Sequence, residues 1–134
     1  MRCVIWILFL VANSVQAEWT PIFVDGPKNG YHWYWDAEEG LYDRDKEIIQ
    51  VPIMGSSDEA SVWELIQFQC EVGSYRLLVT MYYDTPRAKG KPSLVQRIPK
   101  WELTKPQSPF GAMMPLLCES LKSADPDDGA KGNN

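Results

Sequence analysis

The chain has 134 residues, 13 of them basic and 18 acidic, for a formal net charge of -5. That balance argues against wholesale nucleic-acid binding, which shows as a basic footprint, and the length is that of one ordinary domain. Six tryptophans and six tyrosines bring enough large apolar area to exclude disorder over most of the chain.

Arg2 is followed at residues 4–12 by VIWILFLVA, an uncharged apolar run of secretory-signal length and too short to span a bilayer. Val15 and Ala17 are small side chains at the positions that a signal peptidase reads, so cleavage after Ala17 is expected, leaving Glu18 at the new N-terminus. The predicted organisation is a signal peptide over 1–17, one domain over 18–122 and a polar, disordered tail over 123–134. The product is expected in the periplasm or outside the cell. No membrane anchor is expected after cleavage, because Cys3, the only cysteine of the leader, lies far upstream of the cut. Loss of Arg2 takes the basic count from 13 to 12 against 18 acidic side chains, a net charge of -6.

Cleavage also removes Cys3 and leaves Cys70 and Cys118 in an oxidising compartment, where pairing is the default. Two thiols without a CxxC spacing or a histidine beside them make poor metal or redox sites, so the pair reads as a structural disulfide and no metal or cofactor is expected.

Residues 20–25 (TPIFVD) predict a first strand that runs into the turn-forming Gly26, Pro27, Asn29 and Gly30. Residues 31–35 (YHWYW) alternate, placing Tyr31, Trp33 and Trp35 on one face and His32 and Tyr34 on the other. Residues 36–46 carry Gly40 and many charges and predict a loop or a short helical turn. Residues 47–54 resume the period of two, with Ile49, Val51 and Ile53 on one side; Pro52 points to an edge strand or a bulge, since it has no N–H for a central ladder.

The strongest local signal is a hairpin of residues 61–71 and 74–84, joined at Val72 and Gly73. In its first arm Ile66, Phe68 and Cys70 face one way, and in its second Tyr75, Leu77, Val79, Met81 and Tyr83 share a face. A short strand follows at 94–98, and then Trp101 in a polar loop. Ser108 and Pro109 form a helix start, with Ser as N-cap and Pro at the first helical position. Behind them Phe110, Met113, Met114, Leu117, Cys118 and Leu121 fall on one helical stripe; Pro115 is expected to kink the helix or delay its start. An antiparallel sheet with one apolar face needs a cover, and a helix tethered through Cys118 supplies it. The expected fold is α+β: an antiparallel sheet of about five to six strands, a C-terminal helix packed on one face, and one disulfide.

With these elements in order, the chain resembles the surface-adhesin protein E-like family of small exported bacterial proteins. The resemblance is clearest over residues 63–84 (WELIQFQCEVGSYRLLVTMYYD), where a strand ends in Cys70, a tight hairpin follows, then the Tyr75-Arg76 pair and a return strand with Tyr82 and Tyr83. It continues through Gly90, the isolated Trp101, the proline-serine stretch at 106–109 and the helix that holds Cys118. It implies an antiparallel sheet flanked by a helix and closed by a disulfide, and an adhesin-like binding role.

Charge along the chain suggests where such binding would occur. Residues 36–71 are strongly acidic, whereas residues 87–105 hold Arg87, Lys89, Lys91, Arg97, Lys100 and Lys105 against Glu102 alone. Basic side chains beside Trp101 suit an acidic protein or a sulfated glycan, by charge steering with aromatic burial; otherwise the same charges guard a sheet edge against pairing. Self-association of an envelope protein through such an edge, as a homodimer, is the alternative reading.

Other constellations carry less. His32 and Tyr34 are conceivable ligands for a haem or sugar stacked on the aromatic run, but one face of that run must be core, and a lone histidine lacks partners. Asp43, Asp45 and Glu47 are not a calcium loop, because Ile48 stands where glycine is required. Glu38 and Glu39 are neighbours on a polar loop with nothing to split their pKa values, so no catalytic residue is assigned and the chain does not read as an enzyme.

Overall fold

The computed structural model describes residues 18–23, 25–96 and 98–125. The expected signal peptide over 1–17, Val24 of the expected first strand, Arg97 and the expected tail from residue 126 lie outside the described residues. Among the described residues eight antiparallel strands form one sheet: β1 (Trp19–Pro21), β2 (His32–Asp36), β3 (Leu41–Asp43), β4 (Ile48–Ser56), β5 (Ser61–Gln69), β6 (Ser74–Tyr83), β7 (Ser93–Gln96) and β8 (Glu102–Leu103), followed by helix α1 (Pro109–Ser123). The main path is β1-β2-β4-β5-β6-β7. β2 and β3 pair with successive stretches of β4, and β7 and β8 with successive stretches of β6.

Eight strands exceed the five to six expected, and the excess is β3 and β8. They are three and two residues long, too short to show a period of two, and they sit in segments whose composition reads as loop. The position of Pro52 also corrects the expectation: it is buried in a central strand, not at an edge. On one side β3 covers residues 48–50 of β4 and β2 covers 53–56, so residues 51 and 52 have a strand partner only in β5. A residue with no N–H is tolerated where one ladder is already interrupted.

The third correction concerns β6. Leu65 of β5 pairs with Val79 and Ile66 with Leu77, so Leu78 is an extra residue, a β-bulge. Because the side-chain period is two, the bulge moves everything beyond it to the opposite face. Tyr75 and Leu77 pack on the core as expected. Val79, Met81 and Tyr83 turn to the other side of the sheet, while Thr80 and Tyr82 take their place opposite Glu64 and Val62.

The core lies between the sheet and α1. Trp33, Ile49, Val51, Ile53, Ile66 and Phe68 meet Met113, Leu117, Cys118 and Leu121, all buried. α1 starts where the cap residues place it: the Ser108 hydroxyl accepts the Gly111 N–H at 3.1 Å with Pro109 behind it. It is not delayed by Pro115, which lies exposed within the helix, where water can take the carbonyl that loses its partner. Gly111 is required for a different reason, since a Cβ there would overlap the Lys105 carbonyl.

Cys70 and Cys118 are bonded across the sheet-helix layer, with Cα atoms 6.1 Å apart. Cys70 is the first residue of a four-residue turn, and its N–H donates to the Glu47 carbonyl at 3.1 Å, so the bridge fastens α1 to the end of the sheet where β4 begins and β5 stops. Ionic contacts crowd the same end. Lys122 Nζ lies 2.8 Å from Glu47 and 3.4 Å from Glu71, and Arg44 pairs with Asp125 at 3.2 Å. The last of these contacts lies just past the end of the helix, at Asp125.

Two outcomes follow from this clamp. Cys70→Ser with Cys118→Ser should lower stability by about 4 kcal/mol on the chain-entropy estimate for the loop closed, read as a fall in urea midpoint. The Lys122 hydrogen bond holds the Glu47 carboxyl below its ordinary 4.5, and the same contact raises Lys122 above 10.5. Its contribution is therefore present above pH 4.5, lost as pH falls through the lowered Glu47 value, and lost again as pH rises through the raised Lys122 value. The melting-temperature difference between wild type and Lys122→Met should be steady near neutrality and shrink on acidification below pH 4.5.

Candidate functional site

The sheet face opposite α1 is built by register. Tyr34, Met54, Trp63, Met81 and Leu94 stand directly opposite one another across five strands. Pro52, Leu65 and Val79 form the next row, and Gln50, Gln67 and Arg76 a further one. Met54 and Pro52 are buried, Trp63, Leu65, Val79 and Met81 partly so, and Leu94 is exposed. Among the described residues α1 does not cover this face, so it presents apolar and aromatic side chains to the surroundings.

Two cations stand over it. At one end a short 3-10 turn (Pro86–Ala88) folds back on β4 and β5 and sets the Arg87 guanidinium 5.0 Å from the centre of the Tyr34 ring. At the other end Arg76 lies 4.5 Å from the centre of the Trp101 ring, and its Nε donates to Gln67 at 2.6 Å, which in turn donates to Gln50 at 2.8 Å. Trp101 is therefore held by its own chain's arginine and half-buried, as the residue leading into β8.

The turn that carries Arg87 is strained and specifically held. Arg87 and Ala88 have φ of 61° and 54°, in the left-handed region that non-glycine residues seldom occupy. Two buried serines, paired opposite each other on β4 and β5, hold it there. The Arg87 N–H donates to Ser56 Oγ at 2.9 Å, the Ala88 N–H to Ser61 Oγ at 2.8 Å, and Ser61 Oγ–H donates to the Thr85 carbonyl at 2.7 Å. Nothing in the sequence marks Ser56 and Ser61 as anchors, since serine at a strand end reads as polar punctuation.

Of the residues singled out from the sequence, Arg87 and Trp101 reach this uncovered face. Lys89, Lys91 and Lys100 are exposed in the connecting segments, Lys105 is exposed near the start of α1, and Arg97 lies outside the described residues. Arg76 and Trp63 belong to the face and were not predicted for it. A visible signal existed in the alternation itself, which sets Arg76 opposite to Tyr75 and Leu77 and Trp63 opposite to Ile66 and Phe68, while the doublet Leu77-Leu78 marks the bulge that brings Val79 and Met81 to join them.

The alternative sites resolve structurally. Trp33 and Trp35 pack on the core, with the Trp33 indole N–H donating to the Lys28 carbonyl at 3.0 Å, while His32 is exposed on the other side. Asp43 Oδ1 accepts the N–H groups of Asp45 and Lys46, which makes it a turn cap. Glu38 and Glu39 are exposed on the turn after β2. Among the described residues no group of three or more His, Cys, Asp or Glu side chains is placed to hold a metal ion, and no helix is long and apolar enough to cross a membrane.

Comparison with known proteins bears on the family and the fold. The family model for surface-adhesin protein E matches residues 19–119. A crystal structure of Haemophilus influenzae protein E is similar at a TM-score of 0.58 and 15% identity, covering 74% of this chain and 91% of that one. Its second crystal form gives a TM-score of 0.58 at 15% identity, with 78% and 98% covered. Protein E from non-typeable Haemophilus influenzae gives 0.53 at 14%, with 81% and 89% covered. At that identity these likenesses bear on the fold alone. A search of curated proteins returned no match.

The anchoring of the turn is testable through its buried hydroxyl. Ser61→Ala removes one acceptor and one donor and should cost about 1–3 kcal/mol, measured by urea unfolding. Amide exchange at Ala88 should accelerate in the same variant.

Proposed function

Since the chain belongs to the surface-adhesin protein E family, we propose that it is an exported, non-catalytic binding module that contacts a protein or glycan through its basic segment and the uncovered sheet face. The contact residues are Arg87, Lys89, Lys91, Arg97, Lys100 and Trp101, joined by Arg76 and Trp63. The supporting observation is the convergence of Arg87 and the Arg76–Trp101 stack on one partly apolar face of an otherwise acidic protein. Arginine and tryptophan are the residues that most often carry binding energy, and local positive charge steers an anionic partner.

A second reading draws on the edge of the same sheet. β7 ends the strand order, and Leu94, Ile98 and Leu103 near it are 59%, 94% and 72% exposed. An open edge with apolar side chains suits self-association by strand addition.

Pull-down from envelope and host-matrix extracts with the mature protein identifies the partner, and heparin serves as the anionic probe. Replacing Arg87, Lys89, Lys91 and Lys100 by Ala should weaken heparin and partner binding at least about tenfold with thermal stability intact, and salt should weaken the wild-type contact in parallel. Unchanged binding disposes of the proposal. A sedimenting homodimer indifferent to salt and to these substitutions favours the edge reading.

A further inference from the structure

On the uncovered face, at the end where β3 pairs with β4, the register lines up a row of side chains. Leu41 stands opposite Gln50, Gln50 opposite Gln67 and Gln67 opposite Arg76, with Trp101 against the arginine. A pocket of about 210 Å³ opens along this row, and the turn between β3 and β4 brings Lys46 to it. Leu41, 61% exposed, and the half-buried Ile48 supply its apolar surface.

The hydrogen bonds of the row run in one direction. Arginine has only donors, so Gln67 must turn its Oε1 to the Arg76 Nε, at 2.6 Å. The Gln67 Nε2 then donates to the Gln50 Oε1 at 2.8 Å, which leaves the Gln50 Nε2 to donate outward. Tied at Nε and held 4.5 Å from the centre of the Trp101 ring, the Arg76 guanidinium is fixed in place before any ligand arrives. Among the described residues its Nη groups, the Gln50 Nε2 and the Lys46 Nζ engage no partner. These free groups are all donors, two of the side chains are cationic, and the end of a guanidinium is the fork that a carboxylate accepts bidentately.

Asp43 is the exception in the lining. Its Oδ1 accepts the N–H groups of Asp45 and Lys46, and its Oδ2 is left to the pocket. An acceptor so close to the donors repels a ligand that is only a carboxylate, and suits one that carries hydroxyl groups as well.

We propose that this pocket takes a carboxylate-bearing sugar residue of a glycan, such as a uronic acid. Its carboxylate meets Arg76 and Lys46, its hydroxyls meet Gln50 and Asp43, and its C–H surface lies against Leu41 and Ile48. The inference rests on the reading of the chain as a binding module and narrows the chemistry of one part of its contact surface. The volume falls below the range of roughly 300–1,000 Å³ for ligand pockets, so the site admits one residue of a longer chain.

The test titrates the mature protein with methyl glucuronide, methyl glucoside and glutamate blocked at both ends, following the Gln50 side-chain amide by two-dimensional NMR. The glucuronide should shift that resonance saturably, and the glucoside, which lacks the carboxylate, should bind at least about tenfold more weakly. Arg76→Lys keeps the charge but loses the fork, and should weaken the glucuronide about tenfold. Lys46→Ala should weaken it about threefold or more. Lys46 is exposed, so its variant remains informative should Arg76→Lys disturb the fold. Asp43→Asn keeps an oxygen for the turn and should lower the preference for glucuronide over blocked glutamate. Equal binding of the glucoside, or indifference to Lys46→Ala in a folded protein, overturns the proposal. Blocked glutamate binding as tightly as the glucuronide overturns the assignment to a sugar and points to an acidic protein instead. Heparin binding by the same samples separates this subsite from the wider reading. Heparin bound through Arg87, Lys89, Lys91 and Lys100 with no saturable glucuronide shift overturns the subsite alone. Saturable glucuronide binding with heparin indifferent to those four residues supports the subsite and counts against the basic segment.

Discussion

The covalent bridge between Cys70 and Cys118 is the constraint around which this molecule is arranged. An antiparallel sheet of this size has an apolar face that one helix can cover only if the helix stays in register with it. The bridge fixes the C-terminal half of α1 at one end of the sheet, where Lys122, Glu47, Glu71, Arg44 and Asp125 add ionic contacts around the sulfur atoms. Exposed ion pairs contribute little individually. Grouped beside a covalent link, they make that end the fixed one, while the Phe110 end is positioned by the Ser108 cap and by aromatic packing.

That asymmetry has a chemical consequence. Where the clamp is, the sheet and helix close over buried Ile49, Phe68 and Leu117. At the far end the interlayer space widens into a cleft of rings and carboxylates. The β6 bulge adds Tyr82 to its lining, because one extra residue sends Tyr82 and Thr80 inward and Met81 and Val79 outward. The same displacement furnishes the opposite face with the row from Tyr34 to Leu94, over which Arg87 is held. One backbone irregularity thus equips both faces of the sheet.

Much of this was legible in the linear pattern. The period of two in residues 31–35, 47–54 and 61–69, the Ser108-Pro109 start and the stripe from Phe110 to Leu121 located four long elements and their buried sides, since each signal is local and repeated. β3 and β8 were not legible, because two or three residues cannot express a period and their pairing is decided by β4 and β6. Pro52 misled for a related reason. Its tolerance depends on which partner lies beside it, and that partner changes from β3 to β2 at its position.

The sequence alone therefore determined the pairing of Cys70 with Cys118, the class of fold and the family. Each depends on residue type and on spacing along the chain, which folding leaves unchanged. The tertiary structure alone decided which face of β6 each side chain occupies, that Ser56 and Ser61 hold the Arg87 turn, that Trp101 stacks on Arg76, and that Glu64 lines an aromatic cleft. Those facts rest on a bulge and on contacts between strands distant in sequence, and a side chain's surroundings exist only once such strands are side by side.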